Sequence, residues 1–207
     1  MISIVDYGMG NIRSMQSAFG YLGVPCMTVN SPDGILNSDK LVLPGVGAFA
    51  KAMENICALG LYKPLRKFAL VERRPVLGIC LGMQLLAECG EEDGVMAGLG
   101  WIAGTVSRLN VPPELKVPHI GFNSLNFPRA AERNILFKGM PEHPDFYFVH
   151  SYVLHATEER HVTSFANYGS PFVSSVCSGN IYGTQFHPEK SQGNGLRLLH
   201  NFAQLDT

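Results

Sequence analysis

The sequence predicts a three-layer α/β/α fold around a mostly parallel central sheet with antiparallel additions. In the first half, short apolar runs alternate with segments of helical period, the rhythm of strand–helix–strand units. In the second half, β-rich runs recur between Gly, Pro and Asn with few helical segments among them, which adds antiparallel strands. Between the halves, residues 75–79 are apolar throughout instead of at alternate positions, the pattern of a parallel strand buried on both faces.

Taken in order, residues 2–6 read as a buried first strand and residues 11–22 as a helix, followed by a strand over 40–43 that ends at Pro44-Gly45. Residues 49–59 and 65–70 carry helical spacing and lead into the central strand 75–79. A helix-like stretch over 83–88 follows it. The β-rich runs are 100–109, 125–127, 146–154, 162–166, 172–178 and 181–186. A last helix over 194–204 places Leu196, Leu199, Phe202 and Ala203 on one apolar face. No repeat, low-complexity tract or linker interrupts the chain, so one domain over residues 1–207 is expected.

Composition narrows the function classes. A chain of 207 residues, 46% of them hydrophobic, can bury a substantial core. With 16 Lys+Arg against 17 Asp+Glu and no long basic run, it offers no electrostatic footprint for nucleic acid or an anionic membrane. No apolar run reaches membrane-spanning length, and the N-terminal residues lack the charged and apolar regions of a signal peptide. Five cysteines, an odd number without a C-x-x-C pair, suggest neither a disulfide framework nor a zinc site. A cytoplasmic protein without metal or cofactor is expected.

Chemistry is concentrated in three punctuated segments. Gly78-Ile79-Cys80-Leu81-Gly82 puts Cys80 on a tight turn between strand and helix, where flanking glycines permit the strained backbone and close packing that such an elbow needs. A helix N-terminus there would favour the thiolate. In Gln185-Phe186-His187-Pro188-Glu189, His187 and Glu189 are two apart and project to the same side of an extended chain, so the carboxylate can hold the imidazole in one tautomer. Leu43-Pro44-Gly45-Val46-Gly47 is a turn whose peptide N–H groups could form an oxyanion hole, with Leu81 N–H as the second donor. Taken singly, the last two segments also read as a surface turn and a plain strand-to-helix connection. It is their joint occurrence with the cysteine elbow that indicates nucleophilic catalysis. Cys26, Cys57, Cys89 and Cys177 read as packing cysteines.

The elbow with Met83-Gln84 and the Gln185 to Glu189 segment resemble the class I glutamine amidotransferases. Asp6-Tyr7-Gly8-Met9-Gly10-Asn11, Leu43 to Phe49, Lys116-Val117-Pro118-His119-Ile120-Gly121, Tyr147 to Tyr152 and His187 to Ser191 are similar, within them, to the glutaminase subunits of imidazole glycerol phosphate synthase. The resemblance covers essentially the whole chain. It implies hydrolysis of L-glutamine through a Cys80 thioester with His187 and Glu189, and passage of the ammonia to a (β/α)₈ cyclase subunit in histidine biosynthesis. It further implies that Val46, Gly47 and Leu81 serve the oxyanion, after a peptide flip in the Pro-Gly-Val-Gly turn, and that Gln84, Ser151 and Tyr152 hold the substrate. Met9, Asn11, Phe122, Asn123, Tyr147 and Lys190 would face the partner.

One position departs from that pattern: Phe122 stands where the family usually shows Trp, which loses an indole donor and contact area. A divergent copy supplying ammonia to a sugar amidotransferase of surface-polysaccharide synthesis is therefore a second expectation. A cysteine peptidase using Cys80 and His187, or a non-catalytic binding module, would be alternatives of another class.

Overall fold

The computed structural model describes residues 1–128 and 134–206. The chain begins with β1 (Ile2–Val5), whose four residues are all buried. Next comes α1 (Ile12–Tyr21), started by Asn11, whose side chain accepts the Ser14 N–H at 3.3 Å. Then come β2 (Cys26–Val29), α2 (Pro32–Leu36), β3 (Lys40–Gly45), α3 (Phe49–Ala58) and α4 (Tyr62–Arg66), which passes into a π-helical turn, Lys67–Val71. The central strand β4 (Val76–Cys80) and α5 (Leu81–Gln84) form the elbow. The second half holds β5 (Ala87–Gly90), β6 (Met96–Ala97), β7 (Ile102–Arg108), β8 (His119–Ser124), β9 (Asp145–His150), β10 (Tyr152–Ala156), β11 (Val162–Tyr168), β12 (Ser170–Ser178) and β13 (Ile181–Thr184). The helix α6 (Gln192–Ala203) follows them.

Seven strands form the main sheet in the order β11-β12-β13-β4-β3-β1-β2. The five from β13 to β2 run parallel, and β12 and β11 are added antiparallel. This is the expected architecture. Period-two alternation assigns the strand residues to two apolar layers. Leu41 and Leu43 of β3 join Ile56 and Leu65 on one face, while Val42 joins Phe19 of α1 and Leu199 and Phe202 of α6 on the other. Each of these side chains is fully buried.

Several local expectations are corrected. The stretch 83–88 is not one helix: α5 is a single turn, and Ala87–Gly90 is a strand paired parallel with β7 and antiparallel with β6. Leu85, Leu86 and Ala87 are fully buried in either geometry, so their apolar run could not distinguish the two. One helical turn also has little macrodipole, which weakens the helix-terminus argument for Cys80. The run 146–154 divides at Ser151: β9 pairs with β8 in a hairpin, and β10 joins a four-stranded sheet, β10-β7-β5-β6. Residues 65–70 span the end of α4 and the π-helical turn, and 125–127 contributes only an isolated bridge from Asn126 to Phe165. On α6, Leu199 and Phe202 are buried together with Leu198, while Leu196 and Ala203 lie half-buried at the edge. No helix among the described residues is long and apolar enough to cross a membrane.

Candidate active site

The three punctuated segments lie at the carboxyl ends of three adjacent strands, β13, β4 and β3. Gly45 is paired with Cys80 and Thr184 with Ile79, so the Pro44 to Gly47 turn and the Gln185 to Glu189 segment leave the sheet on either side of the cysteine. Cys80 itself has φ 54 and ψ −110, a strained conformation for a residue with a side chain, costing on the order of 1–3 kcal/mol. Tight packing maintains it: a Cβ on Gly82 would collide with the Leu43 carbonyl oxygen, and one on Gly78 would lie 2.6 Å from the Gly82 carbonyl oxygen. The elbow therefore depends on both glycines, as its sequence pattern anticipated.

His187 and Glu189 meet, but not on an extended chain: β13 ends at Thr184, and Glu189 lies in a 3₁₀ turn, Pro188–Lys190, that His187 precedes. His187 Nδ1 lies 2.8 Å from Glu189 Oε1, with both side chains almost fully buried. Burial disfavours the charged imidazole, but hydrogen bonding and charge from Cys80 and Glu189 outweigh it and raise its pKa to about 10. Nε2 makes no hydrogen bond of ordinary geometry with any described residue, yet the Cys80 thiol is near enough to contribute to that shift. The loop is stitched to β9: His187 N–H donates to the Tyr147 carbonyl at 2.9 Å, and Ser191 Oγ bridges the His187 carbonyl and the Tyr147 N–H.

Beside Cys80 is a cavity of about 430 Å³, lined among others by Val46, Gly47, Leu81, Gln84, Ser151 and Tyr152. All six expected oxyanion and substrate residues thus border one space. Leu81, the first residue of α5, has a peptide N–H with no partner within that helix. Gly47 has φ +106, and a Cβ there would meet the Met9 side chain. Gln84 is already engaged: its Nε2 donates to the Tyr152 carbonyl at 2.9 Å and to Gln185 Oε1 at 3.1 Å.

Of the expected partner-facing residues, three cluster. Phe122 is exposed and meets Tyr147 edge-on at 5.6 Å, and Lys190 Nζ sits 5.8 Å over the Tyr147 ring. Met9 lies against Gly47 at the cavity. Asn11 and Asn123 have internal tasks, Asn11 as the α1 cap and Asn123 donating to the Asn167 carbonyl at 2.8 Å.

Two site residues escaped the sequence reading. Glu92 lines the cavity, and its carboxylate accepts the Phe49 N–H at 2.9 Å, capping α3 from a distant loop. Tyr7 is fully buried and donates to the Pro44 carbonyl at 2.5 Å, bracing the oxyanion turn. Burial and the nearby Cys80 raise its pKa far above the usual phenol value. Tyr7 lies in a quoted motif, but no local pattern announces Glu92.

A buried cysteine on a strained strand-to-helix elbow, an imidazole–carboxylate pair and an adjoining cavity on an α/β/α scaffold are the parts that thiol-dependent acyl transfer requires. The chain belongs to the class I glutamine amidotransferase family, whose model matches residues 3–205. It is 48% identical over 205 residues to the imidazole glycerol phosphate synthase subunit HisH of Moorella thermoacetica, covering 99% of this chain and 94% of that one. It is 44% identical to HisH 1 of Campylobacter jejuni, covering 99% and 100%, and 42% identical to HisH of Rhodospirillum rubrum, covering 97% of each. Among solved structures, a glutamine amidotransferase superposes with TM-score 0.74 at 19% identity, covering 98% of this chain and 97% of that one, which is a likeness of fold alone.

Proposed function

We propose that residues 1–207 act as one amidotransferase domain, the glutaminase subunit of an imidazole glycerol phosphate synthase, hydrolysing L-glutamine and passing ammonia to a (β/α)₈ cyclase. The observation that carries this reading is Cys80 at the elbow, bordering a cavity with room for an amino acid and flanked by the His187–Glu189 pair. Relatedness to HisH subunits along the whole chain supports the pathway assignment and does not favour the sugar-amidation reading of Phe122.

Cys80 Sγ attacks the side-chain carboxamide carbon of glutamine while its proton resides on His187. The resulting oxyanion is received by the N–H groups of Leu81 and of the Val46-Gly47 turn. His187 then gives its proton to the departing nitrogen, which leaves as ammonia from a Cys80 thioester. Water loses a proton to His187 and adds to the thioester carbon, releasing glutamate and returning the thiol. Glu189 keeps the imidazole oriented and offsets its charge. Glu92, an acidic group on the cavity wall, suits the α-ammonium of the substrate and favours a free amino acid over a peptide bond.

The partner would dock over the β8–β9 hairpin, where Ile120 and Phe122 are 60% and 50% exposed, Tyr147 meets Phe122 and Lys190 lies over the Tyr147 ring. A cover is a functional need, since ammonia released to water at neutral pH is protonated and lost. The biosynthetic role also suits the cytoplasm.

The test is glutamate release by Cys80→Ala in the presence of cyclase and its nucleotide ligand. Hydrolysis is expected to vanish while the two subunits still co-elute, and unchanged release would overturn the assignment of Cys80. Growth of a histidine-requiring strain lacking its own glutaminase subunit tests the acceptor: hydrolysis without rescue would point to another pathway.

A further inference from the structure

A hydrogen-bond chain runs from the β8–β9 hairpin to the nucleophile, and its direction is set by backbone carbonyls that can only accept. The Tyr152 carbonyl receives Gln84 Nε2 at 2.9 Å. The second hydrogen on that nitrogen then points at Gln185 Oε1, 3.1 Å away, which leaves Gln185 Nε2 facing Cys80 Sγ at 3.7 Å. Rotating the Gln185 amide would set its nitrogen against the Gln84 nitrogen, two donors in contact, so only one orientation is satisfied.

The same carbonyl orders the other arm. His150 Nδ1 lies 3.1 Å from Tyr152 O and must carry a hydrogen, so a neutral His150 has a bare Nε2. His119 Nδ1, 3.0 Å from that nitrogen, must then be the donor, and its own Nε2 accepts from Asn123 Nδ2 at 3.4 Å. Asn123 is oriented from outside, because the same nitrogen donates to the Asn167 carbonyl. The His119 ring stacks between Tyr168 at 4.1 Å and Phe148 at 5.1 Å, and both imidazoles are buried. Burial lowers the pKa of each, and the neighbouring His119 and His187 lower that of His150 further, so both stay neutral near pH 7.

We propose that His119 and His150 are positioning residues that act through the Tyr152 carbonyl and Gln84 to aim the Gln185 amide N–H at Cys80, and that Gln185 stabilises the attacking sulfur anion. Gln185 is fully buried, and none of its groups is spent on the sheet's side-chain packing: the oxygen serves Gln84 and the nitrogen serves the sulfur. A donor to a developing thiolate lowers the cost of charge on sulfur before any substrate arrives. His119 sits beside Ile120 and Phe122 on β8, so the far end of the chain lies on the face proposed for the partner.

The proposal rests on Cys80 being the nucleophile, but its primary test does not require glutamine hydrolysis. Alkylation of Cys80 by iodoacetamide, followed peptide by peptide by mass spectrometry across the neutral pH range, reads thiolate reactivity in the full chain. Gln185→Met, of similar volume without the donor, is expected to slow Cys80 alkylation about tenfold near pH 7 and move its pH profile upward, with Cys57 unaffected as the exposed internal control. His119→Leu should shift the profile in the same direction, and His119→Asn, which keeps a donor near the Nδ1 position, should restore it. Thermal unfolding verifies that the variants compared are folded. In the complex, kcat for glutamine should fall more than KM rises. A Gln185→Met profile matching wild type, or His119→Asn behaving as His119→Leu, would overturn the relay. Activity retained by Cys80→Ala would instead overturn the reading of the nucleophile.

Discussion

At the scale of single residues, two neighbouring imidazole environments have been driven in opposite directions. His187 sits between a thiol and a carboxylate and holds its proton to about pH 10, whereas His119 and His150 are neutral because burial gives their charge no compensation. The sign for catalysis follows. In the free enzyme His187 keeps its proton through neutral pH and loses it as pH rises through about 10, so the alkaline limb of kcat/KM is expected there; a limb moved to neutrality would count against the role. His187→Asn should lower kcat for glutamine by roughly 10²–10⁴-fold, the usual worth of a positioned acid–base group, with partner affinity preserved. Steady-state kinetics and co-elution together check it.

At the scale of elements, the elbow and the hairpin make separate demands. The elbow requires a glycine wherever strand and turn approach too closely for a side chain. Gly82→Ala forces a methyl group onto the Leu43 carbonyl and is expected to cost about 3 kcal/mol, read as a lower urea midpoint, besides displacing Cys80. The hairpin exposes its apolar side chains on one face while Phe146 and Phe148 of the facing strand are buried. Phe122→Ala should therefore leave stability nearly unchanged yet weaken cyclase binding by about 1–2 kcal/mol, measured by titration calorimetry. The inner strands of the parallel sheet were readable because a strand buried on both faces is continuously apolar, whereas the edge strand β2, buried only at Val29, carried no such run and was missed together with α2. The stretch after the elbow was not readable, because Leu85, Leu86 and Ala87 satisfy helix and strand equally until β7 supplies a pairing edge.

At the scale of the whole molecule, the buried His119–His150 pair links acid stability to the join between hairpin and sheet. The folded-state pKa values, about 4 and about 3, lie below the usual 6.5, so the unfolded chain binds more protons than the folded one under acid conditions. Their contribution is complete above pH 6.5 and is lost as pH falls from there towards 4 and below. Denaturant midpoints should decline over that window; a flat midpoint across it would contradict the burial of neutral imidazoles. Since Gln84 and Gln185 are joined to this pair through Tyr152, thiol reactivity should decline alongside.

Read by itself, the sequence determined the inner strands of the parallel half, the cysteine elbow and the proximity of His187 and Glu189. Each of these rests on rules that operate within a few residues: backbone strain relieved by glycine, apolar periodicity, and the short reach between side chains two apart, here across a 3₁₀ turn. Only the tertiary structure decided that Glu92 and Tyr7 join the site, that Asn11 and Asn123 are occupied internally, and that Gln185 points its donor at Cys80. Those outcomes depend on which distant backbone carbonyls and N–H groups arrive beside each side chain, and such partners are brought together by the packing of the whole sheet.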